Sequence, residues 1–465
     1  MRVAIIGAGW AGCAAAVEAV RLGHTVTLFE AGRIAGGRAR RIALANNAAA
    51  LPLDNGQHIL IGAYKDTLQL MQDVGVDPGS ALLRMPLTLL SPDGKGLRLP
   101  ARLPAPLDAL VGIVGARGWS LADKASLLAI AARWQWQGFR CAPLATVADL
   151  CQGLRPRPMY ELIDPLCVSA LNTPASRASG TVFLRVLRDS LFSGRGSSNL
   201  LLPLLDLSAL LPDAAIAWLV ARGQSVQLGA RVQLLERNSS AWRLRMAAAS
   251  AADIDYETSP SLPPELPKNP TDTALFDHVI LACPPREAAR LVQPGIPMPT
   301  IEQDRLTHWQ QLARGLRYEA ITTVYLQTVP SARLTVPMLT LCSSVDAPAQ
   351  FVFDRGALGG PPGLLALVIS ASNPAASAAE LGQLVLHQAR QQLIQAQWLE
   401  SKPQLRLIQT ITEKRATFAC TPGLVRPPMQ IVSGLSACGD YIDGPFPATL
   451  EGAVRSGLAA ARGVS

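Results

Sequence analysis

The sequence predicts an α/β protein of two intimately joined domains, the first opening on a β-α-β unit and the second discontinuous and α+β. Three observations carry that expectation. Residues 2–6 form a short apolar run that meets Gly7-Ala-Gly-Trp-Ala-Gly12. An alanine-rich helical pattern follows to about Leu22 and is closed by Gly23, after which residues 25–30 alternate as a second strand ending at Glu30. At 465 residues the chain also exceeds one typical hydrophobic core.

Each part of the opening unit has a chemical reading. Gly7, Gly9 and Gly12 form G-x-G-x-x-G between strand and helix, with Trp10 and Ala11 inside the turn. The first glycine permits the tight turn, the second lets backbone N–H groups approach a pyrophosphate, and the third lets helix and strand pack closely. The helix start adds unpaired N–H groups and the positive end of a dipole. A carboxylate at Glu30 is placed to accept hydrogen bonds from the ribose hydroxyls of an adenosine and to repel a 2′-phosphate. This is a Rossmann-like dinucleotide site, and these residues alone do not separate FAD from NAD.

Further along, residues 63–200 read as mostly helical, broken by proline-rich turns near 100–106 and 156–158. Residues 226–236 read as two short strands and 277–283 as a buried strand, separated by a small, polar, proline-rich surface excursion at 247–274. Strands of a second sheet are expected at 318–326, 350–354 and 364–370, and a helix at 378–398. The last segment, 436–465, runs strand, loop, helix. The dinucleotide domain is therefore expected to comprise 1–62, 205–295 and 430–465, and the substrate domain 63–204 and 296–429.

Composition narrows the classes. The hydrophobic fraction is 49% and the charged fraction 16%, which supports a large core rather than disorder. A net charge of +8 points to an anionic partner. No Lys/Arg run interleaved with aromatics occurs, so nucleic acid is not expected. The eight cysteines show no C-x-x-C spacing, which argues against a metal site and fits a reducing cytoplasm. Glu18 interrupts the apolar N-terminus, so no signal peptide is expected there. The richest apolar stretch, 200–220, holds Pro203, Asp206, Pro212 and Asp213 and does not read as a membrane span.

Residues 30–38 give Glu-Ala-x-x-x-x-Gly-Gly-Arg, with Ala31, Arg33, Gly36, Gly37 and Arg38 in register. Near the C-terminus, Ala437-Cys-Gly-Asp440 is followed by PFPATLEGAVRSG at 445–457. Together these motifs resemble the FAD-dependent amine oxidase and phytoene desaturase superfamily, which implies FAD and an amine oxidase type of fold. The resemblance implies that Gly36, Gly37, Arg33 and Arg38 face the pyrophosphate and flavin edge. It places Gly439 and Asp440 at the ribityl or pyrophosphate region, Thr449 and Leu450 N–H groups at the flavin, and the backbone of Val232 at adenine. No cysteine stands in a covalent-attachment context, so the FAD is expected to be non-covalent.

Asp54-Asn-Gly-Gln-His58, DPLCVSALNTP at 164–174, SSNLLLP at 197–203 and ACPP at 282–285 resemble, more narrowly, the bacterial hydroxysqualene dehydroxylase family. What that implies is loss of the allylic hydroxyl of hydroxysqualene as water, with hydride from reduced FAD giving squalene; it names no electron donor. Oxidative prenyl desaturation, amine oxidation and non-redox flavin chemistry (a cyclase or isomerase) stay open as alternatives. Candidates for the acid are Asp54 and Asp164, with Glu161 behind them. His58 is a candidate proton donor or a residue that holds its loop, Asp54 could instead order the Asn55-Gly56 turn, and Asp164 could instead be a helix N-cap. A water-insoluble product also implies exchange with a bilayer. Residues 81–118 mix apolar runs with Arg84, Lys95, Arg98, Arg102 and Arg117, so peripheral attachment to the inner membrane is expected there.

Overall fold

The computed structural model describes residues 1–42, 53–191, 194–238, 241–247, 275–292, 298–394, 399 and 404–464. The proline-rich segment singled out at 247–274 lies, from residue 248 onward, outside the described residues.

The strand Arg2–Ile6 is central because Val3, Ala4, Ile5 and Ile6 are all buried, the pattern of a parallel strand covered on both faces. It pairs in parallel with Thr25–Glu30 on one side and His278–Leu281 on the other. Ser225–Leu228 extends the sheet beyond Thr25–Glu30. Leu435–Ala437 and the antiparallel Gln430–Val432 complete a sheet of six. Four separated stretches of chain thus build one sheet.

The helices Trp10–Arg21 and Leu450–Arg462 pack against one another, and small residues make this close approach feasible. A β-carbon at Gly457 would collide with the Ala11 carbonyl oxygen and lie 3.0 Å from the Ala14 β-carbon. Arg462 meets buried Glu18 at 2.6 Å. Because 457 lies against 11 and 14 while 462 lies against 18, the two helices run parallel. Their N-termini therefore share one end of the sheet.

A second sheet of five antiparallel strands runs Met338–Thr340, Phe351–Asp354, Leu364–Ser372, Tyr318–Gln327, Arg406–Phe418. Alternation divides its faces. Val324, Leu326, Val352, Leu365 and Leu367 form a core with Leu381 and Val385 of the Ala378–Ala389 helix. Tyr325, Phe351, Phe353 and Ala366 point the other way into the main core. Asn172, in left-handed conformation at φ 46°, donates to Thr417 Oγ1 and accepts from the Ala371 N–H, pinning the helical region to this sheet.

The expected helical character of 63–200 holds only in part. Leu82–Met85, Thr88–Leu90, Gly96–Arg98 and Leu200–Pro203 are strands. A short apolar run has no periodicity that separates helix from strand, and Pro86 denies a helix its hydrogen bond. Pro156, expected as a break, instead opens a helix, where its missing N–H costs nothing. Pro165 cannot donate either, and the chain passes it through a π-turn at Met159–Ile163, with the Asp164 N–H bonded to the Met159 carbonyl. The helix expected at 378–398 becomes a π-turn at Arg390–Ile394, and 395–398 lie outside the described residues. Among the described residues no helix is long and apolar enough to cross a membrane.

The parallel helix contact makes a testable demand. In a free helix Gly→Ala gains about 1 kcal/mol, but overpacking against a backbone carbonyl costs about 1–3 kcal/mol and more when two helices must part. Gly457→Ala is therefore expected to lower the urea midpoint with the slope of the transition unchanged. A midpoint at or above wild type would contradict the contact.

Candidate active site

The first glycine loop is shaped by the chain that leaves the neighbouring parallel strand His278–Leu281. Gly7 sits at φ +112°, and a β-carbon there would lie 2.6 Å from the Ala282 carbonyl oxygen, at the start of the ACPP motif. A β-carbon on Gly12 would run into the Gly7 carbonyl and lie 3.1 Å from the Ala282 β-carbon. Gly9 is different, because its neighbour is another glycine. A β-carbon there would lie 3.8 Å from the Gly37 Cα, and Gly36, at φ +111°, donates its N–H to the Ala8 carbonyl at 2.8 Å. The two glycine loops thus lie on one another, leaving backbone without side chains on both.

Glu30 holds those loops in register. Its Oε2 accepts the Ala8 N–H and its Oε1 the Gly32 N–H, each at 2.8 Å. A carboxylate has about four acceptor positions, so capacity for ribose hydroxyls remains. Trp10 is buried and its Nε1 donates to the Ala39 carbonyl at 3.0 Å, with buried Ala11 next to it. Ala31 and Arg33 are exposed, so Arg33 stands apart from Arg38. The Ala230 N–H donates to the Glu30 carbonyl, which brings buried Val232 to the same edge.

The C-terminal motif meets these loops from the other end of the chain. Arg38 pairs with buried Asp440 and donates to the Ala416 carbonyl at 2.6 Å. Burial works against the Arg38 charge, but the Asp440 carboxylate outweighs it and holds the guanidinium protonated. Gly439 donates its N–H to Ser456 Oγ at 2.8 Å. Thr449 caps the last helix, its Oγ1 accepting the Gly452 N–H at 3.0 Å, so the first-turn N–H groups from Leu450 have no partner within the helix. Glu451 in that first turn is fully buried and caps a different helix, accepting the Thr67 N–H at 2.9 Å and Thr67 Oγ1 at 2.7 Å. Tyr441 is buried with its hydroxyl lacking any hydrogen-bond partner among the described residues. Two helix N-termini at one end, a side-chain-free cradle and an unpartnered buried hydroxyl suit an extended anionic dinucleotide, and these residues could hold one.

The Asp54–His58 loop follows the second glycine loop and packs under the five-stranded sheet. Asp54 is 6% exposed. Its Oδ1 accepts the Leu207 N–H at 2.9 Å, and its carbonyl accepts the Tyr325 hydroxyl at 2.9 Å. Burial pushes its carboxyl up to about 6, against the Leu207 hydrogen bond and the positive field of Arg355. No donor meets Oδ2 among the described residues. Arg355, itself buried, approaches Gln57 Oε1 at 3.3 Å. Thr323 is fully buried and its Oγ1 has no hydrogen-bond partner among the described residues, and a β-carbon on Gly56 would lie 3.6 Å from it. His58 lies with Nδ1 3.0 Å from the Gly56 carbonyl. Burial, reinforced by the Arg38 charge, lowers its pKa, so the ring is neutral near pH 7 and is not a store of acid protons.

Asp164 is not brought to this loop. It stands half-buried where the π-turn passes into the Asp164–Leu171 helix, with the Cys151 and Cys167 thiols as electrostatic neighbours. Burial raises its pKa too. The N-cap reading of Asp164 fails because the helix runs through it from the π-turn. Glu161 is taken up by Trp119 Nε1 at 2.6 Å and Arg157 at 3.4 Å. Tyr325, Thr323 and Arg355 were not singled out from sequence. A lone arginine ending the apolar FVFD strand was the available signal.

A family model described as flavin containing amine oxidoreductase matches residues 10–465. Hydroxysqualene dehydroxylase of Rhodopseudomonas palustris is 28% identical over 486 residues, covering 99% of this chain and 97% of that protein. The protein of the same name from Sinorhizobium fredii is 26% identical, covering 99% of this chain and 97% of its own length. Among solved structures, cyclohexylamine oxidase from Brevibacterium oxydans shares the fold at a TM-score of 0.61 and 17% identity, with 100% of this chain and 98% of that chain covered.

Two outcomes are expected at the cradle. Glu30→Ala should weaken FAD binding to apoprotein by about 1–3 kcal/mol, because charge-assisted hydrogen bonds are lost and both loops are released. Unchanged affinity in a titration would count against the role given to Glu30. Burial pushes the Cys13, Cys283 and Cys420 thiols up to about 12, so they are inert, unionised groups. Acid precipitation should accordingly release all the yellow colour, and flavin retained on the denatured chain would refute non-covalent binding.

Proposed function

The chain belongs to the flavin containing amine oxidoreductase family and is an FAD-dependent oxidoreductase, and within that family we propose that it reduces hydroxysqualene to squalene by removing the allylic hydroxyl. The observation that carries this reading is the buried carboxyl of Asp54, raised to about 6 where its loop packs under the apolar face of the five-stranded sheet. The relatives that match along nearly the whole chain bear the corresponding name.

We assign the cradle of Gly7, Gly9, Trp10, Ala11, Gly12, Glu30, Ala31, Gly36, Gly37 and Arg38 to the FAD dinucleotide, with Val232 at its adenine end. Gly439, Asp440, Thr449 and Leu450 serve its flavin half in this reading, and Arg33 has only an outer, electrostatic part. Reduced FAD supplies the hydride when bound.

The protein's own residues do the rest. Asp54 in its protonated form donates from Oδ2 to the departing hydroxyl, which leaves as water. The carboxylate left behind is met by the Leu207 N–H and the field of Arg355, both of which favour its charge. Tyr325 fixes the Asp54 backbone through its hydroxyl, so the acid keeps its aim. Ile321, Phe353 and Ile411 belong to the same apolar core as Tyr325 and keep bulk water from an allylic cation. Neutral His58 holds the Gly56 turn. Asp164, set among the Cys151 and Cys167 thiols, is given no part in the proton transfer.

The pH dependence follows from the direction of the Asp54 shift. The carboxyl keeps its proton below about 6 and loses it above. Squalene formation from hydroxysqualene with dithionite as reductant should therefore fall about tenfold per pH unit above that value. Asp54→Asn should lower kcat by about 100-fold or more and flatten this limb, with flavin content normal. An Asp54→Asn enzyme that keeps both its rate and the wild-type pH limb would remove Asp54 as the acid, and absence of squalene from the wild type would remove the reaction itself.

A further inference from the structure

The helix Leu107–Val114 has its polarity turned inside out. Its inward face carries Asp108, Gly112 and Ile113, all buried. Asp108 accepts from Ser198 Oγ at 3.3 Å, and Gly112 is in contact range of Leu99, where a β-carbon would collide. Its outward face carries Leu107, Leu110, Val111 and Val114, each between 45% and 56% exposed. That spacing of i, i+3, i+4 and i+7 is the stripe a helix normally buries. Leu121, 86% exposed at the start of the next helix, extends it.

Cations surround this stripe. Arg98, Arg102 and Arg117 are exposed and have no carboxylate within ion-pair distance among the described residues. Arg117 is tied to the adjoining strand by backbone bonds with Gly96 at 3.0 and 3.2 Å. Lys124 Nζ donates to the Val114 carbonyl at 2.6 Å, closing the helix end. Between residues 84 and 122 the acids are Asp93, paired with Lys95 at 2.6 Å, and the inward Asp108. The apolar run 81–90, expected to share in membrane attachment, offers no such stripe: Leu82 and Leu89 are buried in strands and Leu87 is buried between them.

We propose that this helix docks the protein on an anionic lipid bilayer, with the leucine and valine stripe in the acyl boundary and the three arginines at the headgroups. Charge selects this occupant. A second copy would bring the same arginines face to face, whereas an anionic surface neutralises them as the stripe enters. The proposal rests on the hydrocarbon product given above, since squalene is insoluble in water and needs a lipid phase to enter.

Flotation of the full FAD-loaded chain tests it, using vesicles of phosphatidylcholine alone and of phosphatidylcholine mixed equally with phosphatidylglycerol. Wild type should float with the mixed vesicles, sink with the neutral ones, and detach as salt rises. Arg98→Glu with Arg102→Glu should lower partitioning at least about tenfold, and Leu110→Asp with Val111→Asp should abolish it, flavin absorbance staying normal in both. Equal flotation of wild type and both variants overturns the docking face. So does unchanged flotation accompanied by a shift from dimer to monomer in the Leu110→Asp, Val111→Asp protein, which would make the stripe a contact between copies. The assay uses no substrate. Docking can therefore fail while squalene is still made, and a protein that docks without making squalene loses the reaction alone.

Discussion

The Arg38–Asp440 pair is the interaction on which the site depends. It joins a loop near the N-terminus to a motif near the C-terminus, and the same guanidinium reaches the Ala416 carbonyl at the end of the longest strand of the second sheet. Three elements from distant parts of the chain thus meet on one planar group whose fork of donors suits a carboxylate and a carbonyl together. Breaking a half-buried pair of this kind leaves Asp440 buried without its partner, which is costlier than never having placed it there. The glycine cradle, the closing motif and the second sheet all meet at that contact.

A second constraint is electrostatic. The Trp10–Arg21 and Leu450–Arg462 helices run parallel, so their positive dipole ends lie side by side instead of cancelling. Neither first turn has a carboxylate free to answer this field: the Trp10–Arg21 helix has none, and Glu451 is turned away to cap Lys65–Asp73. Such an arrangement is strained in isolation and relieved by an anion placed at both ends. A pyrophosphate with a reduced flavin beside it carries negative charge along that line. In the proposed reaction the protein's own part is an acid whose pKa burial raises to about 6 and an apolar wall.

What could be read from sequence and what could not divides along chain separation. Gly7, Gly9, Gly12 and Glu30 express their chemistry within a few residues and were read from their spacing, whereas Gly36, Gly37 and Thr449 were marked by the resemblance their motifs carry. Gly457 was legible as part of a motif, yet its reason, the Ala11 carbonyl, lies in another helix. Asp54 was a candidate only by its place after the Gly36-Gly37 loop. Tyr325 and Arg355, which orient and bias it, lie in and just after strands hundreds of residues later, and nothing local ties them to Asp54. The region 81–118 misled for a different reason. Its two apolar runs look alike in composition, but Pro86 and strand pairing bury the first, while Asp108 and Gly112 turn the second outward. His58 and Asp164 show the same limit, since protonation and proximity are properties of the packed molecule.

In the proposed reaction the hydroxyl is replaced by hydrogen and the carbon chain is not desaturated. Its most direct measurement is the mass spectrum of the hydrocarbon formed when the dithionite-reduced protein turns over hydroxysqualene in D2O, where the transferable hydrogen of reduced flavin exchanges with solvent. Squalene with one deuterium, at the carbon that carried the hydroxyl, is the expected product. A product with no deuterium at that carbon, or a more unsaturated hydrocarbon formed by the oxidised protein instead, would contradict that reaction.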